Sequence, residues 1–263
     1  MEEPSIALNS TDLAQIEVAA GPVSEAAVQI RAPKKKKKRS DGDWLRVESQ
    51  IKRRDAIKVA LKSFMPVVNQ AKARNANESD TANIVHKFFQ DVLGWDFLDL
   101  TSEYKIKNTF CDLAIKHEGE IRLLIEVKAI GLNLKEEHLR QASAYAAHEG
   151  VHFVMLTNGL VYRLYHVGFG ERIDVAMVFE VDLAAEVTLE DYTELYLISK
   201  HSLPKGQVEE YWAQEEALCR ENILEALVSE DVMITLAKYF KNHYELKVDV
   251  TTLRSKVESL LPE

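Results

Sequence analysis

In the stretch Ile121-Arg122-Leu123-Leu124-Ile125-Glu126-Val127-Lys128-Ala129-Ile130, a carboxylate and an ammonium sit two residues apart in an otherwise largely apolar run. The Leu, Ile and Val content predicts a buried strand, and side chains two apart on a strand share one face, about 7 Å from each other. Glu126 and Lys128 therefore stand side by side, while Val127 points the other way with Leu123 and Ile125. Charges in such a strand are costly unless they pair or bind an ion. The run Cys111-Asp112-Leu113 has a similar form, a carboxylate between apolar neighbours that face away from it. Paired as a hairpin, the two runs bring Asp112 and Glu126 together near one end of a sheet. Two carboxylates there make a hard oxygen site suited to Mg2+, which takes few protein ligands and keeps several waters. Lys128 then positions an attacking water or helps deprotonate it, and offsets charge developing on a phosphate.

The elements that must hold these residues follow from periodicity. Val47, Ile51, Ile57, Ala60, Leu61 and Phe64 recur at helical spacing, and Pro66 is expected to kink or end that helix. A second helix starts near Glu78, with Ser79, Asp80 or Thr81 as its cap, and carries Ile84, Val85, Phe88, Phe89, Val92 and Leu93 as its apolar stripe up to Gly94. Strands are predicted over about 98–106, 110–117 and 121–130, the last two joined by the turn His117-Glu118-Gly119-Glu120. A helix over about 135–149, closed by Gly150, leads to a strand at 151–156 that reads as buried on both faces. Asn158-Gly159 is the strongest hairpin signal in the chain and is followed by strands at 161–165 and 175–181. This order predicts an α/β fold, a mixed sheet flanked by helices. From Leu189 onward the pattern is helical, with a long helix expected from Val208 to about Ser229.

Composition bounds the rest. The 263 residues are 46% hydrophobic and 29% charged, as in a globular protein, and no apolar run is long enough to span a membrane. The start Met1-Glu2-Glu3-Pro4 lacks the form of a signal peptide, so a cytoplasmic location is expected. Cys111 and Cys219 are too few for a disulfide framework or a zinc cage. Residues 1–40 hold seven basic and five acidic residues, so a formal charge of −9 leaves −11 on the remaining body. These residues read as a disordered tail ending in the basic run from Lys34 to Arg39. The run is either a solvated tail or an electrostatic arm for nucleic acid. The expected organisation is the basic tail at 1–40, a helix at 41–74, an α/β domain at 75–200 and a helical region at 201–263.

Asp112, then Glu126-Val127-Lys128, then Gln141-Ala142-Ser143-Ala144-Tyr145 resembles the PD-(D/E)XK nuclease superfamily. Thr157-Asn158-Gly159, Tyr162-Arg163-Leu164-Tyr165 and the helix from Glu78 that ends Leu93-Gly94-Trp95-Asp96 are similar to the N-terminal nuclease domain of type I restriction enzyme R subunits. The resemblance covers about residues 75–200 and implies a restriction-endonuclease-like fold. It implies Mg2+-dependent cleavage of DNA, with RNA still open. Asp112 and Glu126 would be the metal ligands and Lys128 the catalytic lysine. Gln141 and Tyr145 would support the site or contact the DNA backbone, and Glu78 would be an accessory carboxylate. A homodimer, or a restriction-system partner subunit bound through the C-terminal helices, is the expected assembly.

The chain departs from that pattern in two ways. Cys111 stands where proline often precedes the aspartate, and there is no G-x-x-x-x-G-K-[ST] to support ATP hydrolysis. His138, His148, His152 and His166 lack H-E-x-x-H spacing, and Ser143 lacks a G-x-S-x-G setting, so zinc and serine hydrolases have no support. His138 lies one turn before Gln141 and reads as a surface histidine. A second reading stays open: a non-catalytic nucleic-acid- or protein-binding module in which Glu126 and Lys128 form a plain ion pair.

Overall fold

The computed structural model describes residues 17–18, 41–106, 109–170 and 173–261. The tail expected over residues 1–40, with its basic run, lies outside them apart from Glu17 and Val18. Helix α1 (Asp41–Ala73) leads into α2 (Glu78–Asp91), followed by strands β2 (Leu100–Ile106), β3 (Thr109–His117) and β4 (Glu120–Val127). Helix α3 (Leu139–Glu149), strands β5 (Phe153–Thr157), β6 (Val161–Phe169) and β7 (Ile173–Asp182), and helix α4 (Leu189–Leu197) come next. Among the described residues the sheet order is β1-β7-β6-β5-β4-β3-β2, where β1 is the two-residue pairing Glu17–Val18 at the edge. The sheet is mixed: β4 and β5 run parallel, and β2, β3, β4 and β5, β6, β7 form antiparallel runs on either side.

The turn between β3 and β4 has Glu118 at φ 52° and Gly119 at φ 85°, two successive left-handed residues of the kind that match the twist of a tight hairpin. The parallel β4–β5 pair needs a crossover, and α3 supplies it, ending on Gly150 at φ 70°. Leu139, Ala142 and Ala146 of α3 are buried with Leu124, Val154 and Leu156 of the central strands. Helix α2 also packs on β3 and β4. Its Phe88 stacks on Tyr162 of β6 with ring centroids 4.6 Å apart, and Phe64 of α1 meets the edge of Phe88 at 5.7 Å.

Four local expectations are corrected. Helix α1 runs through Pro66, which lacks an N–H to donate, because Ile57, Leu61, Phe64, Val68 and Ala71 are buried on either side of it. Val47 and Ile51, expected on the same apolar stripe, are exposed. The cap of α2 is Asn77, whose side chain accepts from the Asp80 N–H at 2.8 Å. The single helix expected from Val208 is two, α5 (Gln207–Ala217) and α6 (Arg220–Val228), with Cys219 extended at ψ 157° between them. The Asn222 amide donates to the Glu216 carbonyl at 3.0 Å, so a side chain satisfies the broken end in place of continued helix.

The chain divides into two compact units at Val208/Glu209. In the second, α6, α7 (Glu230–Tyr244) and α8 (Val250–Glu258) pack on one another around Met233 and Leu253. No described helix is long and apolar enough to cross a membrane.

Candidate active site

The pairing of β3 with β4 places Leu113 opposite Ile125. The next step along each strand brings Asp112 and Glu126 to the same level. Here the backbone ladder stops and side chains take over. The Asp112 carboxylate accepts from the Val127 N–H at 2.7 Å, and the Cys111 thiol donates to the Ile125 carbonyl at 3.3 Å. On the other side of β4, the Lys128 N–H donates to the Thr157 carbonyl at 2.8 Å, which extends the parallel pairing one residue past the strand. Glu126 and Lys128 are thus held by backbone on one flank, while the strands give way to polar side chains on the other.

Glu126 is 7% exposed. Its Oε1 lies 2.7 Å from Lys128 Nζ, and Nζ lies 3.6 Å from Glu78 Oε1 at the first residue of α2. Burial, and then the charge of Asp112, push the Glu126 carboxyl up to about 7, against the opposing hydrogen bond and charge of Lys128. Burial draws the Lys128 ammonium down. Its bond to Glu126 and the charges of Glu126, Glu78 and Asp112 outweigh that and hold it above the ordinary lysine value. Burial, then the charges of Glu126 and Asp112, push the Cys111 thiol up to about 12, so it is a packing and hydrogen-bonding group rather than a nucleophile. The structure therefore gathers Asp112, Glu126, Lys128 and Glu78 around one end of β4.

Gln141 and Tyr145 lie on α3. The Gln141 amide donates to the Tyr145 hydroxyl at the surface, and the Tyr145 ring packs against the core under the helix. These two side chains engage each other and the core rather than the carboxylates. His138 Nδ1 accepts from the Lys135 N–H at 3.2 Å, which ties down the turn before α3.

Periodicity missed two side chains that fix the loop after Lys128. Asn158, read as a turn residue, accepts from the N–H groups of Leu160 and Val161 and donates to the Leu132 carbonyl at 2.9 Å. Arg163 donates to the Leu134 carbonyl at 3.0 Å and pairs with Glu180. The one signal in the sequence was the Asn158-Gly159 turn followed by a cation, Arg163, inside a strand. Neither names its partner, because both bonds span more than 25 residues of chain.

A resident divalent cation fits the donor set in kind. Two crowded carboxylates, one of them strained by burial beside the other, are what a hard cation relieves. Among the described residues no group of three or more His, Cys, Asp or Glu side chains is arranged to hold a metal. Asp112 and Glu126 are the two carboxylates here that could serve as protein ligands, and Lys128 already engages Glu126.

Residues 83–177 match the model of the type I restriction enzyme R protein N terminus (HSDR_N). This segment is therefore similar to an HSDR_N domain. It contains Asp112, Glu126, Lys128, Gln141 and Tyr145, and begins after Glu78. A solved structure similar to the chain is that of the type IIG restriction endonuclease BpuSI, at 16% identity and a TM-score of 0.31. That match covers 63% of this chain, which spans 23% of the length of BpuSI. No match was found among curated proteins. The match relates residues 83–177 to restriction enzymes.

Proposed function

We propose that the HSDR_N domain is a Mg2+-dependent DNA nuclease that hydrolyses phosphodiester bonds. The observation that carries this reading is the convergence of Asp112, Glu126 and Lys128 where the β3–β4 ladder ends, with Glu78 against Lys128. When bound, the cation supplies Lewis-acid activation of the scissile phosphate and of water. Asp112 and Glu126 are the residues that would hold it. Asp112 is pre-aimed by the Val127 N–H, so little side-chain freedom is lost when it binds. Lys128, freed from part of its pairing with Glu126, orients the attacking water and offsets charge that builds on the phosphoryl oxygens. Glu78 keeps the ammonium near the site. Gln141 and Tyr145 steady the α3 side of the sheet or contact the DNA backbone.

The test is incubation of supercoiled plasmid with the full chain, with Mg2+ and with chelator, beside Asp112→Ala and Lys128→Ala. Relaxed or linear DNA should form only with the parent and Mg2+. Cutting by Asp112→Ala at the parental rate refutes the assignment. A second reading, a binding module without catalysis, draws on the direct Lys128–Glu126 pair at 2.7 Å. It expects intact plasmid with Mg2+ and a retarded plasmid band in both conditions.

A further inference from the structure

Residues 52–74 hold seven cations against a single acid, Asp55, in a body whose balance is otherwise strongly acidic. Arg54, Lys58 and Lys62 follow one another at intervals of four along α1, and Lys72 lies five full turns beyond Arg54 on the same face. Lys58, Lys62 and Lys72 are exposed and Arg54 is half-buried. The stripe has a direction. The C-terminal end of α1 abuts the loop that carries Lys128, where the Ile130 N–H donates to the Ala76 carbonyl at 3.3 Å. From Lys72, four residues before that contact, the stripe leads away over about 27 Å to Arg54, roughly eight base-pair steps of a duplex.

We propose that this face of α1 is a docking track for the phosphate backbone of duplex DNA, extending the substrate contact beyond the carboxylates. The inference rests on the DNA reading above and adds the place where the flanking duplex lies. At its far end a cleft of about 110 Å³ is lined by Arg54, Asp55, Lys58, Val187, Leu189 and Tyr192. Arg54 Nη1 donates to Thr193 Oγ1 at 3.0 Å, which fixes the guanidinium, while its Nε is buried with no hydrogen-bond partner among the described residues. Lys58 Nζ sits over the Tyr192 ring, 5.7 Å from its centroid. The exposed Lys58 ammonium beside this fixed guanidinium suits a phosphodiester oxygen, and the two cations outnumber Asp55 there. Arg53, on the neighbouring flank of α1, adds to the positive field: with Lys205 and Lys200 it helps burial to lower the His201 imidazole.

The experiment uses the full chain, basic run included, in chelator, so that no cleavage is needed. Fluorescence anisotropy of a labelled duplex of about 20 base pairs is read across a series of salt concentrations. The triple variant Lys58→Gln, Lys62→Gln, Lys72→Gln should bind at least about tenfold more weakly than the parent near 100 mM salt. Its plot of log affinity against log salt should flatten by about 3. A control triple, Lys238→Gln, Lys241→Gln, Lys247→Gln, should keep the parental slope. The proposal falls if the first triple binds like the parent, or if both triples flatten the slope alike. A parent that binds no duplex overturns it together with the DNA reading. A parent that binds through other residues overturns the track alone.

Discussion

Glu126 is the residue in which structure and proposed chemistry meet. Its carboxyl is pushed up to about 7 by burial and by Asp112, while the unfolded chain keeps an ordinary carboxylate value. A group raised on folding contributes its stability fully below the unfolded value and loses it as pH rises through the folded one. Above pH 7 the metal-free protein therefore carries an unfavourable buried charge. Glu126→Gln should stabilise that state by about 1–2 kcal/mol at pH 8 while removing cleavage. Urea denaturation in chelator measures it, and a variant less stable than the parent would contradict the electrostatic account. His166 works in the opposite direction. Burial, then the charge of the adjacent His152, lower it to about 4, with Asp174 pulling the other way. Its folded form stays neutral while the unfolded chain takes up a proton below about 6.5. The stability it contributes is complete above that value and is lost as pH falls to about 4. Comparing parent and His166→Asn between these limits isolates the effect: the variant should lose up to about 3 kcal/mol less.

Helices α1 and α2 are more than cover for the sheet. Phe88 is fully buried, stacked on Tyr162 and edged by Phe64, so one side chain ties both helices to β6. Phe88→Ala should cost about 3–5 kcal/mol in a denaturant melt. A loss below 1 kcal/mol would mean that the helices are held by other contacts. The same packing explains why α1 tolerates Pro66. Burial of five side chains on both sides of it outweighs the roughly 3 kcal/mol that an interior proline costs an isolated helix. Glu78 reaches Lys128 only because α2 starts at this end of the sheet, capped by Asn77.

The two compact units differ in how much they bury. The first holds nearly all of the core, whereas the helices after Val208 enclose chiefly Met233 and Leu253. Sparse apolar burial implies low local stability. Hydrogen exchange read by mass spectrometry should therefore show α6, α7 and α8 exchanging well before β4, β5 and β6. Equal protection in both would show that the second unit is stabilised by something beyond its own small core.

Much of the fold was legible because it rests on local periodicity. Alternation, the Glu118-Gly119 and Asn158-Gly159 turns and the Gly150 stop locate β3, β4, α3, β5 and β6 within a few residues. The order of Asp112, Glu126 and Lys128 along the chain was legible for the same reason. What tertiary structure alone decided are the contacts between segments distant in sequence. Glu78 comes to Lys128, Asn158 and Arg163 come to the loop after Lys128, and the β3–β4 ladder ends where Asp112 replaces a backbone acceptor. The continuation of α1 through Pro66 and the break at Cys219 belong with these. A pattern of residue types records which face of an element is apolar. It does not record which distant side chain will satisfy a given donor, because that depends on where packing brings the elements together.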